Sequence, residues 1–456
     1  MKKSSLLLLS LFATCITYAQ CWQSVSASHL NTYAIQNDGT LWAWGRNNNG
    51  QLGDGTNINK SIPTQITSNN DWRKIASGYQ FVIAIKTDGT LWSWGSNGGG
   101  QLGDGTNINA NTPIQVGNDN DWSYISSGAN FTIALKTDGT LWSWGKNDKG
   151  QLGDGSATDK NIPTQIGNQN TWKSISTKMS HTLALKTDGT LWAWGSNEYG
   201  EIGNGGQVFP PVYIPTQIGT TSMWVSISAG GWYSLALKSD STLWAWGDNS
   251  SGALGDGTNI NKTIPTQIGT DTNWQYISSG LDNNIAKKSD GTYWIWGTNN
   301  LGQLGDGTNI DKNIPTQMTT ISDLQNIGQG WEHNSVIKTD GTLWTWGWNA
   351  FGQLGNDSTA NTNSPVNVTC SNLEVEGFGD NNSFSIYPNP TKDIIRFQSQ
   401  DNQSIEKITI TDLSGRIVLN QNNNLKEINV QRLKKGLYII QILSEGNIFK
   451  SKFIKD

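Results

Sequence analysis

The 456-residue chain has little of the chemistry that metal and catalytic sites use, with only three histidines and three cysteines. His29, His181 and His333 are too scattered for a metal motif, and there is no H-E-x-x-H, C-x-x-C, G-x-S-x-G or phosphate-loop sequence. Beyond the first 19 residues no run is long and apolar enough to cross a bilayer. No segment has the length and periodicity of a convincing helix. The sequence therefore predicts no metal, no cofactor and no enzymatic activity.

What the chain has instead is a unit of about 50 residues that occurs seven times. Its clearest copy, residues 86–104, reads KTDGTLWSWGSNGGGQLGD. A period this regular dictates the architecture. The anchoring aspartates are separated by 50, 50, 50, 52, 50 and 50 residues and are Asp38, Asp88, Asp138, Asp188, Asp240, Asp290 and Asp340.

Each unit predicts about four short strands. In the second unit, Asp88-Gly89 reads as a hairpin turn between the apolar runs 81–85 and 91–94. Residues 101–103 form a short third segment, and 62–66 show the last strand, with Pro63 at its start. Four strands repeated seven times predict an all-β, seven-bladed β-propeller.

Tryptophan supplies the core of a chain that is only 35% hydrophobic. Of the 23 tryptophans, fourteen form W-x-W pairs, from Trp42/Trp44 to Trp344/Trp346. Leu324 takes the unit-opening position in the seventh unit, and six more tryptophans open the others: Trp22, Trp72, Trp122, Trp172, Trp224 and Trp274.

The sequence WGSNGGGQLGDG, preceded by TIALKTDGTLWSW, resembles the regulator of chromosome condensation repeat, a family of seven-bladed propellers. The resemblance covers about 350 residues, 22–368, and all seven copies show it. The family's usual histidine before the third strand occurs here only as His181 and His333, which implies packed, hydrogen-bonded rings. The resemblance implies that the protein acts by contact with another protein. The guanine-nucleotide exchange activity of the family is not expected, because the export argued below would keep the protein away from small GTPases.

The chain ends indicate export. Residues 1–19 read as a secretory signal peptide, with a lipoprotein anchor on Cys21 as the alternative. The propeller is expected over 20–370, a linker over 371–383 and a small C-terminal β-sandwich over 384–456.

In combination, four features resemble the type A C-terminal sorting domain of the type IX secretion system: Tyr387-Pro-Asn-Pro390, a hairpin turn in the DLSGR sequence, Gly436-Leu-Tyr438 and the Lys-rich end. That resemblance implies that the type IX machinery is a partner and that the protein is secreted or fixed to the cell surface. An ordinary accessory sandwich is the alternative.

Two cysteines, Cys21 and Cys370, flank the propeller. Since the first and last units of a closed ring are neighbours, we predict a disulfide between them in an oxidising compartment. Two free thiols are the alternative.

Charge limits the partners. Residues 20–370 contain 18 Lys and Arg against 26 Asp and Glu, a net charge of −8. An acidic propeller is unsuited to nucleic acid or an anionic membrane as its main partner. The aspartates of the repeated G-D-G turns lack the spacing of a calcium loop, which favours a turn role over Ca²⁺ binding.

Function is expected where the copies disagree, because a feature shared by seven units is structural. Three columns between the first and second strands vary most and should form an annulus around one channel mouth. Exposed aromatic residues are good anchors, and filling gaps between blades is the alternative. The predicted ligand-binding residues are His29, Tyr79, Gln80, Met179, Trp232, Trp331 and Glu332.

The leading hypothesis is an exported, non-enzymatic propeller that binds a protein or glycan ligand through one ring face. The first alternative is a polysaccharide hydrolase or lyase, and the second is a surface adhesion component. The acidic residues that occur in one blade only, and that an enzyme would need, are Glu198, Glu201, Asp282 and Glu332.

Overall fold

The computed structural model describes residues 22–206, 210–369, 384–399, 404–411, 417–422, 426–444 and 447–455. It has two compact units, the first containing the strands up to residue 368 and the second those from residue 384. Among the described residues all regular elements are strands, and none forms an apolar helix of membrane-spanning length. The chain is therefore all-β, as the sequence predicts.

The first unit contains 28 strands in seven four-stranded antiparallel sheets, each of which is a blade built from consecutive strands. Blade 1 to blade 3 contain β1 Trp22–Ala27, β2 Asn31–Gln36, β3 Leu41–Gly45, β4 Lys60–Gln65, β5 Trp72–Ser77, β6 Phe81–Lys86, β7 Leu91–Gly95, β8 Ala110–Gln115, β9 Trp122–Ser127, β10 Phe131–Lys136, β11 Leu141–Gly145 and β12 Lys160–Gln165. Blade 4 to blade 7 contain β13 Trp172–Thr177, β14 His181–Lys186, β15 Leu191–Gly195, β16 Val212–Gln217, β17 Trp224–Ala229, β18 Tyr233–Lys238, β19 Leu243–Gly247, β20 Lys262–Gln267, β21 Trp274–Ser279, β22 Asn283–Lys288, β23 Tyr293–Gly297, β24 Lys312–Met318, β25 Leu324–Gln329, β26 His333–Lys338, β27 Leu343–Gly347 and β28 Thr362–Val368.

The blades form a closed ring. The first strand of every blade contacts the first strand of the next, and β25 of blade 7 contacts β1 of blade 1. The first strands therefore lie around the central axis, and the fourth strands form the outer edge. The seven-bladed propeller is confirmed.

The second tryptophan of each W-x-W pair joins neighbouring blades. These seven rings are fully buried, with an exposed fraction of 0%. Each indole Nε1 donates to a backbone carbonyl of the preceding blade at 2.9–3.0 Å, as Trp194 does to Gln151 and Trp44 does to Gln353. Burial of large rings with satisfied N–H groups at every junction is the main apolar contribution to the ring.

A lysine covers the other tryptophans in six blades. In blade 4, the Nζ of Lys186 lies 4.8 Å from the ring centroid of Trp172 and 3.6 Å from that of Trp192. These are cation–π distances. The equivalent lysines lie within 6.0 Å of the first tryptophan of their own pair and are Lys86, Lys136, Lys238, Lys288 and Lys338.

Two details of the predicted repeat are wrong. Residues 101–103 form a turn rather than a strand, because the Oδ1 of Asn97 accepts the backbone N–H of Leu102 at 3.0 Å and Gly103 has a φ of +74°. Pro63 lies inside β4 rather than at its start. The pairing with β3 shifts between Gly45–Lys60 and Ala43–Thr64, so the proline occupies a bulge on an edge strand, where no ladder donor is needed.

The second unit consists of two antiparallel sheets. The three-stranded sheet has the order β29-β30-β33 and the four-stranded sheet the order β32-β31-β34-β35. Ile395 and Ile428 of the first share a core with Ile408, Ile440 and Phe453 of the second. The strands are β29 Phe384–Tyr387, β30 Ile394–Ser399, β31 Lys407–Thr411, β32 Ile417–Asn422, β33 Glu427–Asn429, β34 Gly436–Ser444 and β35 Asn447–Lys455.

Several predictions fall on residues outside those described. They are the signal peptide 1–19, the Cys21–Cys370 disulfide, the linker 371–383 and the turn in the DLSGR sequence. These stay predictions.

Candidate binding face of the propeller

One end of the ring carries the variable loops. In each blade the loop from the first to the second strand and the long loop from the third to the fourth strand lie at the same end, because the strands alternate in direction. The Asp-Gly hairpins lie at the opposite end. We call the loops from the first to the second strand the annulus. They are residues 29–31, 79–81, 129–131, 179–181, 231–233, 281–283 and 331–333.

The third column of the annulus is structural. Its residues are at most 1% exposed and are Asn31, Phe81, Phe131, His181, Tyr233, Asn283 and His333. The Nε2 of His333 hydrogen-bonds with the Oγ1 of Thr32 at 3.0 Å, and that of His181 with the Oγ of Ser234 at 3.1 Å. Burial lowers the pKa of His181 to about 4 and that of His333 to about 3, so both rings are neutral at physiological pH. They join blades as packed rings.

Backbone hydrogen bonds fix the first column. The N–H of Tyr79 donates to the carbonyl of Ala129 at 3.0 Å, and the N–H of Ala129 donates to that of Met179 at 3.0 Å. Across the closing junction, the N–H of Trp331 donates to the carbonyl of Ser28 at 3.2 Å. These bonds tie the annulus across the junctions of blades 2 and 3, 3 and 4, and 7 and 1, which limits the movement of its backbone there.

Three of the predicted ligand-binding residues meet at the junction of blades 7, 1 and 2. The ring of His29 stacks on that of Tyr79, with centroids 4.5 Å apart, and lies 4.0 Å from the ring of Trp331. The rings of Tyr79 and Trp331 are 4.9 Å apart. Trp348 lies 6.0 Å from His29 and also 6.0 Å from Phe351.

We call these five residues the aromatic cluster. His29, Tyr79 and Trp331 are half-buried, so part of each ring faces solvent. Burial, together with the charge of Arg46, lowers the pKa of His29 to about 4, and its ring is therefore an uncharged stacking surface at neutral pH. Neutral, partly exposed aromatic rings held in fixed positions suit the binding of a flat apolar ligand surface.

The other predicted binding residues lie elsewhere on the annulus. The Oε1 of Gln80 accepts a hydrogen bond from the Nδ2 of Asn49 at 2.6 Å. Trp232, in blade 5, makes an edge contact with Tyr199 at 6.2 Å. Met179 is half-buried in blade 4. These residues do not belong to the aromatic cluster.

The four acidic candidates divide into two pairs. Glu198 forms an ion pair with Lys149 at 2.7 Å. Glu201 is buried and accepts hydrogen bonds from the hydroxyl of Ser196 and from backbone N–H groups of its own loop. Both carboxylates therefore have partners within the propeller.

The second pair is electrostatically unusual. Burial and the charges of Asp248 and Glu332 raise the pKa of Asp282 to about 6, and burial raises the pKa of Glu332. Among the described residues, however, no group of three or more His, Cys, Asp and Glu side chains is placed to hold a metal ion.

The G-D-G aspartates are occupied within their own turns. In blade 1, the Oδ1 of Asp54 accepts hydrogen bonds from the backbone N–H of Thr56 at 3.0 Å and from the Nδ2 of Asn47 at 2.9 Å. The fourth unit is two residues longer than the others and has GGQVFPPVY at 205–213 in place of the G-T-N-I-N turn. Residues 207–209 of this loop lie outside those described. Tyr213 belongs to β16 and packs against Gly150 of blade 3.

Sequence reasoning missed Lys178. It stands one position before the annulus, in a column that reads Ser28, Gly78, Gly128, Lys178, Gly230, Gly280 and Gly330. Its Nζ donates to the backbone carbonyl of Gln329 at 2.6 Å, from blade 4 to blade 7. The sequence does show this exception, because Lys178 is the one large residue at a repeat position that is otherwise glycine or serine.

Comparisons with known proteins agree with this architecture. Residues 122–385 match the RCC1-like domain family, and stretches within residues 22–135 match the regulator of chromosome condensation (RCC1) repeat. Residues 385–456 match the secretion system C-terminal sorting domain. No curated protein matches the sequence significantly.

Among solved structures, the chain is similar to human WBSCR16, with 21% identity, coverage of 70% of this chain and 86% of that one, and a TM-score of 0.63. It is also similar to Prp20p from Saccharomyces cerevisiae, with 18% identity, coverage of 80% and 90%, and a TM-score of 0.66. At these identities the likeness concerns the fold.

Proposed function

The chain belongs to the RCC1-like domain family, and from this premise we propose that it is an exported, non-enzymatic propeller that binds a protein or glycan ligand through its annulus. The aromatic cluster is the observation that supports the proposal best. Partly exposed aromatic rings on a rigid frame provide large contact area at a low entropic cost. The rings come from three blades, so the surface exists only in the closed propeller.

The C-terminal unit determines where that surface is presented. A type IX sorting domain indicates secretion to the cell surface. We propose that a signal peptide at 1–19 directs the first export step and that residues 384–456 engage the type IX machinery for the second. Together with the net charge of −8 over 20–370, this route favours an extracellular ligand over nucleic acid.

We expect the substitution Trp331→Ala to weaken ligand binding at least tenfold, because the variant loses the ring that contacts both His29 and Tyr79. Ligands would first be identified with wild-type protein by a glycan array and a pull-down, and affinities then measured by calorimetry. Thermal unfolding of the variant tests whether the fold is intact.

Tyr276→Ala is the matched control for this substitution. Tyr276 is an exposed aromatic residue at the third position of the first strand of blade 6, outside the annulus. Equal loss of binding in both variants would contradict the proposed face.

The hydrolase or lyase alternative draws on Asp282 and Glu332, whose raised pKa values suit a proton donor. Release of new glycan ends by the wild type, abolished by Asp282→Asn, would replace the binding proposal with this one.

Deleting residues 384–456 is expected to leave the propeller in the periplasm, because the signal for crossing the outer membrane is lost. Cell fractionation and surface labelling measure the distribution. Full-length Trp331→Ala, which keeps the tail, should reach the surface as the wild type does. A truncated chain that reaches the surface would show that the tail is dispensable for export.

A further inference from the structure

Lys178 lies where the seven blades converge. Blades 4 and 7 are as far apart as two blades of this ring can be, yet the Nζ of Lys178 reaches the carbonyl of Gln329 at 2.6 Å. Its side chain therefore extends across the axis at the annulus end of the channel. Five of the other six blades have glycine in this position and the sixth has serine, so Lys178 is the one charged residue of this repeat position.

A small cavity adjoins this lysine. Its lining contains the hydroxyl-bearing residues Ser28, Ser77 and Ser127 as well as Lys178, and the space is about that of one water molecule. Ser127 is only 8% exposed, and its Oγ has no hydrogen-bond partner among the residues that the structure describes. A buried hydroxyl without a partner costs free energy, and a ligand that supplied an acceptor would remove that cost.

The charge of Lys178 is also incompletely satisfied. A neutral backbone carbonyl is its hydrogen-bond partner, and within the described ranges of the chain no carboxylate lies at ion-pair distance from its Nζ. Burial alone lowers its pKa to about 8, which leaves the amine mostly protonated at neutral pH. A partly buried ammonium without a counter-ion favours an incoming anion at this one point, although the propeller as a whole carries a net charge of −8.

The cavity and the aromatic cluster share residues. Tyr79 and Trp331 line the cavity and also form part of the ring stack with His29. A ligand whose anionic group lies at Lys178 would therefore place the rest of its structure on the aromatic rings. A sugar ring fits this requirement, because its C–H face packs on aromatic surfaces while its hydroxyls can bond to polar groups or to water.

We propose that the mouth of the channel is a binding site for the carboxylate of an acidic glycan. One oxygen of a uronic acid carboxylate takes the place of a water in the small cavity lined by Lys178 and Ser127, the other oxygen lies at its open side, and the aromatic cluster packs on the sugar ring. This inference rests on the proposed function and specifies the ligand class within it.

The test uses two trisaccharides with the same linkage, one of galacturonate and one of galactose. Each galacturonate ring has a carboxylate where each galactose ring has a hydroxymethyl group. Calorimetry with the full mature chain should show that the galacturonate binds at least tenfold more tightly. Lys178→Met, which keeps the length and removes the charge, should abolish this preference and leave the galactose affinity unchanged.

Three variants complete the design. Lys178→Gly introduces the residue that five blades already have, so it should fold, and it should reproduce the loss in Lys178→Met. Ser127→Ala should reduce the galacturonate affinity by a smaller factor. Lys149→Met removes a lysine of the same end of the ring that is paired with Glu198, and it should change neither affinity.

Other results would overturn the inference in distinguishable ways. Equal affinities for the two sugars, both lost in Trp331→Ala and unaffected by Lys178→Met, would keep the binding face and reject the carboxylate site. Tighter, Lys178-dependent binding of a glutamate-rich peptide would show that the anion belongs to a protein. Binding of neither sugar would reject the glycan class.

Discussion

Replacing Gly153 with alanine is expected to lower the free energy of unfolding by about 2–5 kcal/mol, through left-handed strain of about 1–2 kcal/mol and overpacking of about 1–3 kcal/mol. Gly153 has a φ of +74°, and a Cβ built on it would lie 2.7 Å from the Nε1 of Trp194. This indole is fully buried and donates to the carbonyl of Gln151 at 3.0 Å. The added methyl group would therefore push directly on the bond that joins blades 3 and 4.

Gly167→Ala separates the two contributions. Gly167 also has a positive φ, +64°, but a Cβ there meets no atom within 4 Å. Its replacement should cost only the backbone strain, about 1–2 kcal/mol. Denaturant unfolding of both variants measures the difference. Equal losses would mean that the packing between glycine and tryptophan contributes little to the junction.

The same contact recurs at every junction. The long loop of each blade contains a buried leucine or isoleucine followed by a glycine, and this glycine contacts the second tryptophan of the W-x-W pair in the next blade. The glycines are Gly53, Gly103, Gly203, Gly255, Gly305 and Gly355. The repeat therefore encodes the contact between blades as well as the strands within one. This explains why the sequence predicts the number of blades directly, without any tertiary information.

Local turn chemistry sets the limit of that prediction. The Asp-Gly hairpin could be placed because it connects two strands that pair with each other. Residues 101–103 resemble a strand because Leu102 is apolar and fully buried. The backbone N–H of Leu102, however, donates to the side chain of Asn97, and that of Gly103 donates to the carbonyl of Gly100. A hydrogen bond to a side chain leaves no periodic pattern in the sequence.

The candidate site was partly predictable for a related reason. The repeat alignment identified His29, Tyr79 and Trp331 as variable, and ring closure makes the first and last units neighbours, but the alignment could not show that the three rings are in contact. Phe351 belongs to a different loop column and was not considered. Lys178 was missed because its effect depends on reaching across the axis, a distance that only the closed ring defines.

At six of the seven junctions the two neighbouring blades follow each other along the chain. The closing junction joins blade 7 to blade 1, which lie at opposite ends of the repeat region in sequence. Blade 7 is built entirely from β25–β28 and blade 1 from β1–β4, so no described strand is shared between the ends. The junction relies on packing around Trp22 and Val368 and on hydrogen bonds such as that from the Nε1 of Trp44 to the carbonyl of Gln353.

We therefore predict that a Cys21–Cys370 disulfide secures this junction. Trp22 and Val368, which lie one and two residues from the cysteines in sequence, belong to the same buried cluster. Intact mass after alkylation, with and without reductant, tests the bond directly. Unchanged labelling of both cysteines under the two conditions would show free thiols and contradict the prediction.

Replacing both cysteines with serine should lower the free energy of unfolding by up to roughly 5–6 kcal/mol, the chain-entropy value for a closed loop of this length. Wild-type protein in reductant should show the same loss, and reductant should not affect the double variant, which controls for effects of the serines themselves. Unfolding of the double variant should begin with opening of the junction between blades 7 and 1. That opening would separate His29 and Tyr79 from Trp331. Ligand affinity at the aromatic cluster should consequently fall in the double variant at denaturant concentrations that leave the blades folded, whereas unchanged affinity there would show that the junction is closed by packing alone.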